Sequence, residues 1–366
     1  MSILDGIGFI NLIKIFKTSA AISRRLHIYL REKQVKPLIL TGMEDNLLKQ
    51  TETTENELKN GVKDCYGVIY SSDGKRLMKC ENKSLEQYQI KDGTEVICND
   101  AFGFNLHLKS ISIPDSVETI GSNAFSFCTS LRQIAIPDSV KIIGTRAFNM
   151  CKSLQQINIP KSVTTIMYGT FSRCLSLRQM TIPDTVTTIA YMAFFRCNSL
   201  QQIEIPLSVT AIAEGTFLGC SSLKQITIPD SVETIGSNAF QECDSLEQIK
   251  IPASVTHIGE CAFYGCKSLQ EIILTESIKS IGEITFEKCE SLKKIIIRGH
   301  FTDKVKKMLP KELQKIAKRV EYVPNAETKA AIEEGLRLMK DPNVKGYTSI
   351  EELFKDLDND DEETAK

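Results

Sequence analysis

Twelve cysteines and four histidines are the residues of this 366-residue chain best suited to bind a metal, form disulfides or act as nucleophiles. A thiol attacks only where its environment lowers its pKa, and a zinc site needs clustered ligands at close spacing. Eight of the cysteines show neither pattern: Cys128, Cys151, Cys174, Cys197, Cys220, Cys243, Cys266 and Cys289 each follow the last by twenty-three residues. Such a ladder points its side chains the same way, whereas a disulfide needs Cβ atoms about 3.5–4.5 Å apart with a near-perpendicular twist. The eight are read as small thiols filling a narrow interior corner, in a reducing compartment. Cys261 and Cys266 lie five apart without a second pair, so no metal is expected. Cys65, Cys80 and Cys98 are read as core packing. His27, His107, His257 and His300 fall outside any His-Glu-x-x-His or Cys/His spacing. The chain has no phosphate loop and no dinucleotide fingerprint. The recurring Ile-Gly pairs, such as Ile120-Gly121, are read as turn glycines, and no carboxylate pair converges. The expectation is a chain with no catalytic residues and no cofactor.

What positions these residues is internal repetition. Phe102, Phe125, Phe148, Phe171, Phe194, Phe217, Phe240, Phe263 and Phe286 keep the same step, as do the leucines from Leu108 to Leu292. Lockstep spacing without insertion means stacked coils, since one added residue would throw a unit out of register with its neighbours. Within a unit, Leu131, Ile134 and Ile136 follow a Leu-x-x-Ile-x-Ile pattern, and residues two apart on a strand share a face. Pro137 and its equivalents then end the strand, having no N–H for a ladder. Ser-Val-x-x-Ile-Gly returns along another side, and Ala-Phe-x-x-Cys-x-Ser closes the coil. One unit buries about seven side chains, roughly 10–20 kcal/mol, which is less than the cost of ordering twenty-three backbones at about 1–2 kcal/mol each. The units must therefore fold together.

Composition narrows the function. Hydrophobic residues at 42% and charged residues at 25% fit an ordinary folded chain. A net charge of −1 gives no overall basic field for a phosphate backbone, so no nucleic-acid partner is expected. No apolar run is long enough for a transmembrane segment. The N-terminus lacks a basic start and a cleavage site, and Asp5, Asn11 and Lys14 break its apolar stretch; a cytoplasmic protein is expected, or a cell-surface one if the true start lies upstream.

Leu-x-x-Ile-x-Ile followed by Pro-x-Ser-Val-x-x-Ile-Gly-x-x-Ala-Phe-x-x-Cys-x-Ser resembles the BspA-type leucine-rich repeat of bacteria and some protists. The resemblance implies a mainly β repeat solenoid: a right-handed leucine-rich repeat coil with a parallel sheet on one face. Where the usual repeat places Asn or Cys, this chain carries Ser116, Ser139, Ser162, Thr185, Ser208, Ser231, Ser254 and Ser277, whose hydroxyls can bond backbone groups in the bend.

The ends need covering. The organisation read from the sequence is a weakly helical leader and linker at 1–60, an N-terminal hairpin cap at 61–89, nine units over 90–299, a C-terminal cap helix at 300–324 and a helical acidic tail at 325–366. The hairpin turns at Asp73-Gly74, and the polar stretch 44–59 reads as linker. In the tail, Ile332, Leu336 and Met339 form one helical stripe; Ile350, Leu353, Phe354 and Leu357 form a second. These helices can dock on their own solenoid or in a partner's groove. The stretch from Asp341 to Leu357 is similar to the toxin-binding tail of RelB/DinJ-family antitoxins, which implies a toxin as partner, although the ribbon-helix-helix module of that family is absent.

Two outward rows flank the inner strand. One is Gln133, Gln156, Gln179, Gln202, Gln225 and Gln248, which can bond to itself as a polar ladder. The other varies from coil to coil: Ser112, Ala135, Asn158, Thr181, Glu204, Thr227, Lys250, Ile273 and Ile296. Variation on a fixed frame means folding does not dictate those side chains. The reading is a non-catalytic protein-binding scaffold, with Asn158, Thr181, Glu204, Thr227 and Lys250 as candidate partner contacts. The alternatives are an antitoxin-like regulator acting through the tail and a cell-surface adhesin. Tyr168 and Tyr191 read equally as loop packing.

Overall fold

The computed structural model describes residues 49–299 and 302–320. Each coil carries an inner strand, a proline turn, a second short strand and a tight return. Every parallel pairing within the repeats joins a residue to the one twenty-three further on, as Gln156↔Gln179 and Thr165↔Thr188 do. The inner strands include Gln87–Gln89, Ser110–Ser112, Gln156–Asn158, Gln179–Thr181, Gln248–Lys250, Glu271–Thr275 and Lys294–Arg298. The second ladder runs from Val96–Ile97 to Ser280–Ile281. This is a β-solenoid with parallel sheets and little helix.

The interior columns are those the spacing implied. The phenyl rings from Phe102 to Phe286 stack one per coil with centroids 5.4–5.8 Å apart and planes within 13° of parallel. The ladder cysteines are free thiols, buried from Cys128 to Cys266 and half-buried at Cys289. Each Sγ donates to the phenylalanine carbonyl of the coil before it, at 3.1 Å for Cys197 on Phe171 and 3.3 Å for Cys128 on Phe102. The serine row also links coils backward: Ser139 Oγ donates to Val117 O at 2.7 Å and Ser231 Oγ to Val209 O at 2.7 Å. Ser254 Oγ is the exception, buried without a partner.

The return is tight because two residues per coil, four apart, take the left-handed conformation. The series Asp100, Asn123, Arg146, Gly169, Met192, Gly215, Asn238, Cys261 and Ile284 is one; Phe104 through Lys288 is the other. Asparagine and glycine suit that region, whereas a β-branched side chain is crowded there. The glycines of the Ile-Gly pairs do a different job from the turn role expected of them. Gly259 lacks a positive φ, and a Cβ on it would lie 2.3 Å from the Ser237 amide nitrogen of the neighbouring coil. Close approach of backbones is what it permits.

At the N-terminal end, Val68–Tyr70 pairs antiparallel with Arg76–Cys80, which then runs parallel to Val96–Ile97. Tyr88 Oη donates to Asp64 Oδ2 at 2.6 Å and lies 2.6 Å from Tyr70 Oη, tying this hairpin to the first inner strand. Three expectations change here. The inner ladder starts one coil before the nine units, because Leu85, Tyr88 and Ile90 fill the interior places that Leu108, Ile111 and Ile113 fill in the next coil. Part of the stretch read as linker is a helix, Glu55–Asn60, with a capping box between Thr54 and Glu57. Cys65, read as core, is exposed.

At the C-terminal end, the segment read as one cap helix divides. Short helices Thr302–Met308 and Lys311–Gln314 flank Pro310, and Ala317–Val320 is a strand paired parallel with Lys294–Arg298. Proline interrupts the helix, and the unpaired edge of the last coil supplies a ladder for the residues that follow.

Candidate interaction surface

The inner strands alternate exposed, buried, exposed. In Gln156–Asn158 and Gln179–Thr181 the central Ile157 and Met180 point into the core while their neighbours face solvent. Stacking that alternation in register turns the two outward positions into parallel rows. Asn158, Thr181, Glu204, Thr227 and Lys250 are all exposed. Together with Gln156, Gln179, Gln202, Gln225 and Gln248 they line one open groove of about 710 Å³. The structure thus brings together the five solenoid residues read as partner contacts. Ile332, Leu336, Met339, Ile350, Leu353, Phe354 and Leu357 lie outside the described residues.

Two features of the rows differ from expectation. No side-chain hydrogen bond joins the glutamines to one another among the described residues, so their amides face the groove as donors and acceptors rather than closing into a ladder. The variable row also loses its outward character at the C-terminal end: Ile273 is half-buried and Ile296 is buried. There Lys294 Nζ meets Glu271 Oε2 at 2.6 Å, linking two coils across the groove.

The groove carries amides, hydroxyls and three charged side chains, Glu204, Lys250 and Glu271, the last paired with Lys294. Those groups hydrogen-bond a polar surface; they include no nucleophile beside a base. Elsewhere, burial pushes the Cys128 and Cys220 thiols up to about 12 and Cys98 up to about 11, opposite to what an attacking thiolate needs. Among the described residues, no group of three or more His, Cys, Asp or Glu side chains is placed to hold a metal. No helix of the described residues is long and apolar enough to cross a membrane.

A second cluster lies on the return side of the central coils, where the sequence reading singles out Tyr168 and Tyr191 but not the arginine beside them. Tyr168 and Tyr191 stack with centroids 5.4 Å apart, and Arg146 lies over the Tyr168 ring at 4.7 Å. The signal was present as arginine and aromatic residues at return positions that are small or polar in most other coils.

Among solved structures, a leucine-rich repeat protein from Eubacterium ventriosum matches at 21% identity, TM-score 0.46, over 65% of this chain and 76% of its own. The leucine-rich repeat protein of T. pallidum matches at 27% identity, TM-score 0.43, over 60% and 90%. A leucine-rich cell surface protein from Faecalibacterium prausnitzii matches at 22% identity, TM-score 0.33, over 66% and 93%. No curated protein matches the chain. The family model for the BspA type leucine-rich repeat region matches residues 78–201 and 187–309, which does not reach the tail. With more than half its length inside that match, the register of twenty-three carried through every coil and the phenylalanine and cysteine columns in place, the chain belongs to the BspA-type leucine-rich repeat family.

Proposed function

We propose that the chain is a non-catalytic scaffold that binds a protein partner along the inner-strand groove. The observation that carries this is the variable row: five successive coils carry four residue types at one exposed position while the residues on either side hold the repeat, and all five side chains line the same groove. Polar groups at regular spacing suit the hydrogen-bonding surface of a folded partner. The family supports a binding role, and the cytoplasm is the setting this reading gives it.

The test is a paired substitution, Thr181→Arg with Glu204→Arg, in the full chain. Both residues are exposed, so the melting temperature should hold while the proteins recovered in an affinity capture fall away. Undiminished capture by the variant would remove the groove from the binding reaction. The antitoxin resemblance read from the tail's sequence, which the family match does not reach, would give a second route to a partner, and deleting 325–366 separates the two. Capture that survives the deletion belongs to the solenoid; capture that vanishes belongs to the tail. Cell fractionation distinguishes the cytoplasmic protein from an adhesin.

A further inference from the structure

The return side of the central coils carries a cationic aromatic patch for which the groove has no use. Arg146 donates from Nη2 to Tyr168 Oη at 2.6 Å. The Arg173 and Arg196 guanidinium groups each sit 5.4 Å from the Phe195 ring. Arg173 is partly desolvated, and with Arg196 and Arg146 nearby its pKa is lowered, first by burial and then by those two charges. None of the three forms a salt bridge among the described residues. Glu214 is the carboxylate felt by Tyr191, and its own pKa is raised by burial. Three arginines held together on aromatic rings without a carboxylate partner form an anion-attracting surface.

The same side of the later coils has the opposite sign. Glu242, Glu260, Glu283 and Glu287 follow there, with Lys288 over the Tyr264 ring as the cation among them. The chain continues past Val320 into a segment, residues 350–363, with eight carboxylates against Lys355, and with Leu353, Phe354 and Leu357 among them. Twenty-nine residues separate Val320 from Ile350, enough to span on the order of 100 Å when extended. The arginine coils lie about five repeats back from the last, roughly 25 Å at the ladder spacing. The last coils carry those carboxylates beside a basic cap that runs from Lys304 to Arg319, so the cluster of positive charge on the return side within the segment's reach is the arginine patch.

We propose that the Arg146–Arg173–Arg196 patch is the docking site of the chain's own acidic C-terminal segment, residues 350–363, with Phe354 placed against the half-buried Tyr191 and Phe195 rings. This stands apart from the proposed use of the inner groove, on a different side of each coil.

The test uses the full chain, which contains nine tyrosines but no tryptophan, so Phe354→Trp gives a single indole that can be excited selectively. Docking predicts blue-shifted emission that moves to the red when Arg173→Glu and Arg196→Glu are added, or when salt screens the charges. Cleavage by trypsin after Lys355, in a chain that retains Phe354, should quicken about tenfold with the same reversals, as an opened segment becomes accessible. Arg196→Glu alone, at an exposed position, repeats the measurement should the double variant melt early. Changing Asp360 and Asp361 to lysine in the reversed protein should restore protection. Red emission in the unreversed protein, indifference to charge reversal, or protection that depends on protein concentration (a second copy as donor) would overturn the proposal.

Discussion

The thiol of Cys197 donates to the carbonyl oxygen of Phe171, twenty-six residues earlier and one coil back, at 3.1 Å. Cys174 does the same to Phe148 and Cys220 to Phe194, each at 3.2 Å. The cysteine ladder is thus a row of weak donors in a dry corner, each turned toward a carbonyl that also accepts the amide of its own coil's cysteine, as Phe171 O does from Cys174 N–H at 3.1 Å. Burial raises the pKa of Cys174, Cys197 and Cys220, so these thiols are shielded both by access and by ionisation.

A thiol reagent should therefore separate the cysteines. In the folded protein Cys65 should react at once and the half-buried Cys261 more slowly, while Cys128 to Cys266 of the ladder should react only as fast as the protein unfolds. Mass spectrometry of the labelled chain at successive times gives the order. Early labelling of Cys197 would contradict the packing described.

Phe194→Ala removes a ring stacked between Phe171 and Phe217 and leaves a cavity in a fully buried column. The expected loss in urea unfolding is about 3–5 kcal/mol. Thr181→Ala, on the exposed row, should stay within about 0.5 kcal/mol. The contrast between the two tests the inward and outward assignment.

Ile284 holds a left-handed backbone, φ 47°, with 45% of its surface exposed. The same position is Asn123 and Asn238 in other coils, a residue type that tolerates the conformation. Ile284→Asn should therefore stabilise the last coils by about 1 kcal/mol, read as a higher melting temperature.

Glu57 accepts from the Thr54 backbone N–H at 2.7 Å and from the Thr54 hydroxyl at 2.9 Å, and lies 2.5 Å from an Arg76 nitrogen. The Thr54 N–H, then Arg76, lower its pKa from 4.5 to about 2. A carboxylate depressed in the folded state contributes its stabilisation fully above its unfolded value and loses it as pH falls through the folded one. Wild type and Glu57→Gln should differ by under about 1 kcal/mol at pH 7, since the pair is partly solvated. The two melting temperatures should converge as pH falls from 4.5 toward 2.

The solenoid was legible because period alone fixes it: Phe, Leu and Cys at one spacing admit a single register, and the variable row lies next to a buried residue on each inner strand. Features that depend on conformation rather than residue type were less so. Arg146, Met192, Cys261 and Ile284 share no chemistry, yet all sit at the left-handed position, which the two asparagines and two glycines of that series only hint at. The first inner strand was hidden by Tyr88 standing in for isoleucine and by Lys91 and Asn105 standing where later coils have proline and cysteine. The closing strand Ala317–Val320 forms because an edge is waiting for it, information that resides in the neighbouring coil and not in its own basic sequence. The arginine patch is assembled from residues up to fifty apart and becomes visible only when the coils are stacked.

Both side-chain links between coils, cysteine to phenylalanine carbonyl and serine to valine carbonyl, reach from later residues to earlier ones. During translation, then, the acceptor for each new thiol and hydroxyl has already been made when its donor leaves the ribosome. Growth from the hairpin outward can proceed in the order of synthesis, each finished turn serving as the template on which the next one settles.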